Sequence, residues 1–357
     1  MRCKVCTSNF NADNRYKKST KAKYYCPYCN GALFRWKVRL DVIIHKCGND
    51  NCPHRLNALK RLNPTEHNLR RSKSSQFKLT YIYREYLFQA QDLIVSSPQK
   101  PIVDIHKIYN SPNVLGLILS FFVSFALSAR KTAYIMRVMF NIHVSHKTVL
   151  NYAQAAAYHC HQFNMRFKGP IDNESAGDET YIKITGQDAY VFLFISSKNH
   201  KITSYHIADN RETLPATIAI NEAIRTADLD QKLTLITDGN PSYTAGLMFL
   251  NEKRDKDHQI THKQVIGLQN LDVISAEFRS FKQIIERLNR TFKFHVRAAS
   301  GFKSTSGAVA LTTLIVTHYN FLRPHMTLDY KVPIELPELQ AVSTIQGRWA
   351  KILSMTA

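Results

Sequence analysis

The chain has no long apolar run. Its most hydrophobic stretch, Val114 to Ala129, is about 16 residues long, carries Ser120, Ser124 and Ser128, and runs into Arg130 and Lys131. A helix that spans a membrane needs about 20 apolar residues, so this one is expected to lie in a protein core. The opening MRCKVCTSNF lacks the apolar segment of a secretory signal, which makes the cytoplasm the expected location. Glycine and proline are scarce, at 12 each, and 44% of residues are hydrophobic, which describes a globular chain and excludes a disordered one. Acidic residues are also few. Against 48 Lys and Arg there are 27 Asp and Glu, a net charge of +21. Such a surplus points to a polyanionic partner, and without an apolar span nucleic acid is favoured over a membrane surface. Residues 1–74 hold 17 Lys and Arg against 4 Asp and Glu, which marks the N-terminal part as a phosphate-gripping module.

Beyond residue 52 there is one cysteine, Cys160 in YHCHQF, expected to be a buried, inert thiol near a helix end. The other six come in pairs: Cys3 and Cys6, Cys26 and Cys29, Cys47 and Cys52. Two CxxC turns place four thiolates around one tetrahedral ion, and a cytoplasmic setting disfavours disulfides, so one or two structural Zn²⁺ ions are expected. Two pairings are open. Cys3, Cys6, Cys26 and Cys29 would give CxxC–x19–CxxC, leaving Cys47 and Cys52 to recruit His45 and His54 to a second ion. Alternatively, Cys26, Cys29, Cys47 and Cys52 would give CxxC–x17–CxxxxC, with RWKVRLDVIIHK as the β-hairpin of a zinc ribbon.

Three acidic residues sit in three kinds of local sequence. Asp178 lies in GDETYIKI, whose alternation reads as a strand; Asp238 follows the β-rich run Leu233–Thr237 at an Asp-Gly turn signal. Glu286 lies in FKQIIERLNRTFK, where Phe281, Ile284, Ile285, Leu288 and Phe292 recur at helical spacing. Two strand carboxylates and one helix carboxylate can hold two divalent ions about 4 Å apart for in-line displacement at phosphorus, and oxygen donors select Mg²⁺ or Mn²⁺. Lys282, Glu286, Arg290 and Lys293 share one helical face, cations that would suit a phosphate backbone. Glu179 adjoins Asp178, but successive strand residues point to opposite faces, so Glu179 is expected to face away from the metals.

These motifs carry a resemblance. From about Gly177 to Pro324 the chain resembles the catalytic core of DDE-type insertion-sequence transposases, relatives of retroviral integrases. GDETYIKI with AYVFLFISSKNHKITSYHIADNRE resembles the opening of that core, TDGNPSY the segment of the second aspartate, IIERLNRTFK that of the glutamate, and GFKSTSGAVALTTLIVTHYNFLRPH the closing helix. The order is specific, with 59 residues between the aspartates and 47 between Asp238 and Glu286. The resemblance implies that Asp178, Asp238 and Glu286 form the metal-binding catalytic triad. It also implies DNA as substrate and a homo-oligomer working on chromosomal DNA. Asn240, Tyr243, Lys282 and Arg290 would then position strands, with Arg323 and His325 closing the core. Many relatives with a similar core lack an N-terminal cysteine cluster, so the zinc module is read from its chemistry alone.

The expected fold is multidomain α/β. Residues 1–56 form the zinc-ribbon-like module, and 57–111 a basic linker and mixed segment. Residues 112–165 form a helix-turn-helix, 166–330 a ribonuclease-H-like core and 331–357 an accessory tail. In the helix-turn-helix, SARKTAYIMRVMF and SHKTVLNYAQAAA are two short helices around the turn NIHV, with His146, Lys147, Asn151 and Gln154 facing DNA; a plain packing hairpin is the alternative. The core reads strands at Glu179–Ile184, Ala189–Ser196 and Lys201–Ala208, a helix TLPATIAINEAIRTA, a fourth strand to Thr237 and a fifth at Gln264–Leu268. The function expected is cleavage of DNA at a mobile element's ends and transfer of the strands to a target. The alternatives are a non-catalytic zinc and helix-turn-helix regulator, and a nuclease that cuts without joining.

Overall fold

A computed structural model describes residues 22–72, 77–228, 230–265 and 273–356. The chain divides into two compact units, one ending at Phe88 and the next beginning at Gln89. Cys3 and Cys6 lie outside the described residues.

In the first unit the expected hairpin forms from β1 (Leu33–Val38) and β2 (Val42–Cys47). Two short helices follow, α1 (Pro53–Lys60) and α2 (Pro64–Ser72), and then β3 (Ile82–Tyr86), which pairs antiparallel with β2. The start of the segment expected as a linker is therefore structured. The tyrosines of YIYREY have high strand propensity, and Tyr81 and Tyr83 pack against the cysteines. Opposite Tyr83, His45 hydrogen-bonds Glu85 at 2.9 Å, and Glu85 also pairs with Lys23.

The second unit opens with α3 (Pro112–Leu119), a π-helical turn over Ser120–Ser124, α4 (Ala129–Phe140) and α5 (His146–Arg166). The Ser128 and Ser145 hydroxyls accept backbone N–H bonds from Lys131 and Thr148, which starts α4 and α5 where the sequence suggested. Asn141, left-handed at φ 53°, ends α4. Contrary to the expectation of two short helices, α5 runs for 21 residues. Its second half buries Ala155, Ala156, Ala157, Cys160 and Phe163 in the same hydrophobic core as the sheet, and that packing sustains the extra turns. Residues 112–165 thus share the core of that sheet and, among the described residues, have none of their own.

The sheet comprises β4 (Glu174–Ile184), β5 (Gln187–Ser196), β6 (Ile202–Ala208), β7 (Thr234–Thr237) and β8 (Thr261–Gln264), in the order β6-β5-β4-β7-β8. The first three are antiparallel, and α6 (Thr213–Ala223) leads into β7, which runs parallel to β4, with β8 parallel to β7. This is the ribonuclease-H-like order. The fifth strand falls earlier than expected, at Thr261–Gln264; residues 266–270 lie outside the described residues. Then come α7 (Pro241–Asn251) after β7, α8 (Val273–Arg297), α9 (Thr305–Thr317), α10 (Pro337–Gln340) and α11 (Ile345–Ser354).

Both faces of the sheet are covered, so β5 reads as a continuous apolar run. Phe192 and Phe194 face α6 and α7, while Leu193 and Ile195 join Ile285, Leu288 and Phe292 of α8. Gly177 fits only because it has no side chain: a Cβ there would stand 2.1 Å from the Phe194 ring. The edge strand β6 is closed by Asn320, whose amide accepts from the Ile202 N–H at 2.8 Å and donates to its carbonyl at 2.9 Å. In the tail, Trp349 is fully buried and donates to Ser124 Oγ at 3.1 Å. Helix α11 passes so close to α3 that a Cβ on Gly116 would meet the Gln346 carbonyl oxygen at 2.1 Å.

Candidate metal centres

In the first unit Cys26, Cys29, Cys47 and Cys52 bring their sulfurs within 4.8 Å of one another. This is the second of the two pairings. Cys26 and Cys52 stand 3.7 Å apart and Cys29 and Cys47 3.5 Å apart, too far for S–S bonds. Sulfurs at 2.3 Å around a tetrahedral Zn²⁺ would be separated by about 3.8 Å, so the set fits that ion. The Cys26–Cys29 turn is closed by Cys26 N–H to Gly31 O and Asn30 N–H to Cys26 O, both 2.9 Å, with Asn30 left-handed at φ 52°. The Gly31 backbone N–H lowers the Cys29 thiol to about 7, whereas burial raises Cys47 to about 12, so Cys47 ionises only with a cation beside it. His45 and His54 are not members of the cluster: His45 bonds Glu85, and His54 packs on Tyr28 and Tyr81. In the second unit Cys160 is fully buried, with its thiol raised to about 12 by burial.

The second centre is built by strand register. Parallel pairing sets Ala176 opposite Ile236, and two residues further Asp238, just past the end of β7, comes level with Asp178. Oxygens of Asp178, Glu179 and Asp238 lie within 4.8 Å of one another. Burial, with Glu179 and Asp238 adding like charge and Lys282 opposing, raises the Asp178 carboxyl to about 6. Asp178 accepts from the Glu179 N–H at 3.0 Å and from Asn289 Nδ2 of α8 at 3.1 Å. The other amide atom of Asn289, Oδ1, is buried and has no hydrogen-bond partner among the described residues. An orphaned acceptor beside crowded carboxylates is a setting that fits a hard divalent cation.

Two expectations need correction. Glu179 does point to the other face, as alternation requires, but its longer side chain does not leave the centre. It is 5% exposed and accepts from Tyr243 Oη at 2.6 Å, Asn240 Nδ2 at 3.1 Å and Arg211 at 3.4 Å, bonds that draw the carboxylate toward the β7–α7 turn. Tyr243, expected to position DNA strands, is fully buried; burial and Glu179 hold its hydroxyl protonated, as a donor. The structure does not bring Glu286 into the 4.8 Å cluster. It lies half-buried on α8, one turn before Asn289, on the stripe that also carries Lys282. Lys293, on that stripe, packs over the Tyr181 ring at 4.5 Å, and Arg290 is exposed. At the start of α5, His146 and Lys147 are exposed, Asn151 is half-buried and Gln154 exposed.

Sequence reasoning missed Asn289. Its position, three residues after Glu286 and so on the same helical face, was the available signal.

A five-stranded sheet of this order, with carboxylates clustered on adjacent central strands, defines a ribonuclease-H-like catalytic core. Residues 175–315 match the family model DDE_Tnp_IS240, described as a DDE domain. Similar solved structures include the HTLV-2 integrase catalytic core domain in complex with magnesium. Its trimeric form is 14% identical, with 46% of this chain and 96% of that chain covered and a TM-score of 0.33. For its dimeric form the figures are 15%, 46%, 94% and 0.32. The intasome of simian T-cell lymphotropic virus in complex with PP2A regulatory subunit B56 gamma is 16% identical, with 66% and 80% covered and a TM-score of 0.32. No curated protein matches the chain. Among the described residues, no helix is long and apolar enough to cross a membrane.

Two measurements test these centres. Elemental analysis of the full chain should show that Cys47→Ser lowers zinc content by about one equivalent while Cys160→Ser does not; equal zinc in both variants contradicts the ribbon. The second concerns stability without metal. Because folding raises the Asp178 carboxyl, its ionised form disfavours the fold above about pH 6, and the penalty fades as pH falls toward 4. Asp178→Asn should therefore raise the melting temperature of metal-free protein by a few degrees at pH 7.5, on the order of 2 kcal/mol, with a smaller gain near pH 4.5. A lowered melting temperature at pH 7.5 would contradict a carboxyl raised by burial and crowding.

Proposed function

We propose that this protein is a DNA transposase that cuts the ends of a mobile element and transfers the freed strands to target DNA. The observation that carries the reading is the convergence of Asp178 and Asp238 at the centre of a ribonuclease-H-like sheet in a chain of net charge +21. Asp178, Asp238 and Glu286 would hold Mg²⁺ or Mn²⁺, and two such ions would supply an activated oxygen nucleophile and a stabilised leaving oxygen. Cutting and joining are both in-line displacements at phosphorus, so one centre serves both.

The third ligand is assigned to Glu286 for a reason of occupancy. Both Glu179 oxygens already accept side-chain bonds, Oε1 from Asn240 and Arg211 and Oε2 from Tyr243. Asn240 also donates its backbone N–H to Asp238 Oδ1 at 2.9 Å and caps α7 through Ser242 N. Glu179 thus fastens the turn that carries Asp238. Lys282, Arg290 and Lys293 would take backbone phosphates along α8, and His146, Lys147 and Asn151 would read the element ends. The cysteine ribbon would add sequence-independent grip, and the active form would be a homo-oligomer on DNA.

The test uses full-length protein, Mg²⁺ and labelled duplexes carrying the inverted repeats that flank the coding sequence. Asp178→Asn, Asp238→Asn and Glu286→Gln should each abolish nicking and joining and leave end binding within about threefold, since each removes a metal-holding charge and little else. Glu179→Gln should retain activity reduced by about 10- to 100-fold, the usual cost of disturbing a group that orients a ligand. If Glu179→Gln is inactive while Glu286→Gln still cuts, the third ligand is Glu179. If all four variants cut and join, the chain is no DDE enzyme.

A further inference from the structure

The second unit has an open cavity of about 620 Å³. Its walls include Arg287 and Arg290 of α8, His200 from the β5–β6 turn, and Arg323, His325 and Tyr330 from the segment after α9. No carboxylate lines it. Burial and Arg287 lower the His200 imidazole, and burial, with Arg323 contributing, lowers His325 to about 4, so both rings are neutral and the cavity's charge resides on the arginines. Behind them, Tyr319 forms an aromatic back wall, with the His325 ring 4.5 Å away and the Arg323 guanidinium at 5.8 Å.

Tyr330 is the unusual member. It is 73% exposed, and its backbone is left-handed at φ 60°, directly after Asp329 at φ 52°. Bulky residues avoid that region, and an outlier at a cavity points to a role beyond packing. The turn is tied by Tyr330 N–H to His325 O and Lys331 N–H to Leu328 O, both 2.9 Å, so the backbone that carries the ring is fixed. The cavity is much larger than one phosphate and falls in the range of about 300–1,000 Å³ that takes small organic ligands. Guanidinium groups beside an exposed aromatic are the chemistry that receives a nucleotide, the phosphate on the cations and the base on the ring. Arg290 stands one helical turn after Glu286 on α8, while Ile284, Arg287, Leu288 and Thr291 line the cavity from the face of that helix turned away from Asn289 and the carboxylates.

We propose that this cavity binds one unpaired nucleotide of the DNA, its phosphate held by Arg287, Arg290 and Arg323 and its base stacked on Tyr330. The proposal rests on the transposase reading.

The test measures anisotropy of two labelled DNAs with equal phosphate number, one blunt and one with three unpaired nucleotides at a 3′ end, against the full chain. The wild type should prefer the unpaired end by about tenfold, within the range of one base stacked on an aromatic. Tyr330→Gly, which suits the left-handed backbone and so favours the fold, should remove most of that preference and leave blunt binding within about twofold. The double variant Arg287→Gln, Arg323→Gln should remove the preference as well. A 2-aminopurine in the overhang should change fluorescence on binding wild type and not Tyr330→Gly. Equal binding of both DNAs by wild type, or equal losses on both in the variants, overturns the proposal. A wild type that cuts and joins in Mg²⁺ yet shows no preference sinks the cavity alone. One that neither cuts nor joins sinks the transposase reading itself.

Discussion

Crowding of negative charge at one point of the sheet is the constraint on which the second unit depends. Parallel pairing of β4 with β7 sets Asp238 level with Asp178, and Glu179 joins them within 4.8 Å. Left without cations, the ionised Asp178 opposes folding, because burial, with the like charge of Glu179 and Asp238 adding, raises its carboxyl. The surroundings hold it in place. Gly177 lets the Phe194 ring press against β4 one residue before Asp178, Asn289 ties α8 to that aspartate, and Glu179 binds the Asn240–Tyr243 turn to the strand. Each contact limits the spread that repulsion would otherwise produce.

The same packing joins the core around the centre to exposed polar surfaces. Helix α5 begins with exposed His146 and Lys147 and ends with Phe163 in the core beside the sheet. That first turn and the core beside the sheet are thus joined by one continuous helix and not by a linker. Helix α8 does this at shorter range: Lys282 faces the carboxylates, while Arg287 and Arg290 line the cavity. The ribbon of the first unit is a separate construction, in which four thiols substitute for the apolar core that a three-stranded sheet of this size lacks.

Elements with strong periodicity were legible before any coordinates. Alternation in GDETYIKI and helical spacing around Glu286 gave the right element types, and the segments SARKTAYIMRVMF and SHKTVLNYAQAAA began where α4 and α5 begin. Three features escaped because they depend on distant partners. The length of α5 is set by apolar contacts with the core, which a local alanine run does not disclose. The strand at Ile82–Tyr86 was hidden behind a basic stretch, and only its pairing with β2 makes it part of the ribbon. The place of Glu179 shows the limit of alternation, which fixes the direction of a Cβ but not where four further heavy atoms settle. Those were drawn in by Asn240 and Tyr243, 61 and 64 residues away in sequence. The choice of Cys26, Cys29, Cys47 and Cys52 over the other pairing likewise needed the fold of the hairpin between them.

The central claim is that the carboxylate cluster is a divalent-metal site, and binding tests it without reference to turnover. Full-length protein can be titrated with Mn²⁺ while free Mn²⁺ is followed by electron paramagnetic resonance. The account predicts saturable uptake that Asp178→Asn or Asp238→Asn weakens at least about tenfold. Lys282→Gln should strengthen it, because that cation opposes a positive charge beside Asp178. Uptake that is the same in the wild type and in both aspartate variants would contradict it.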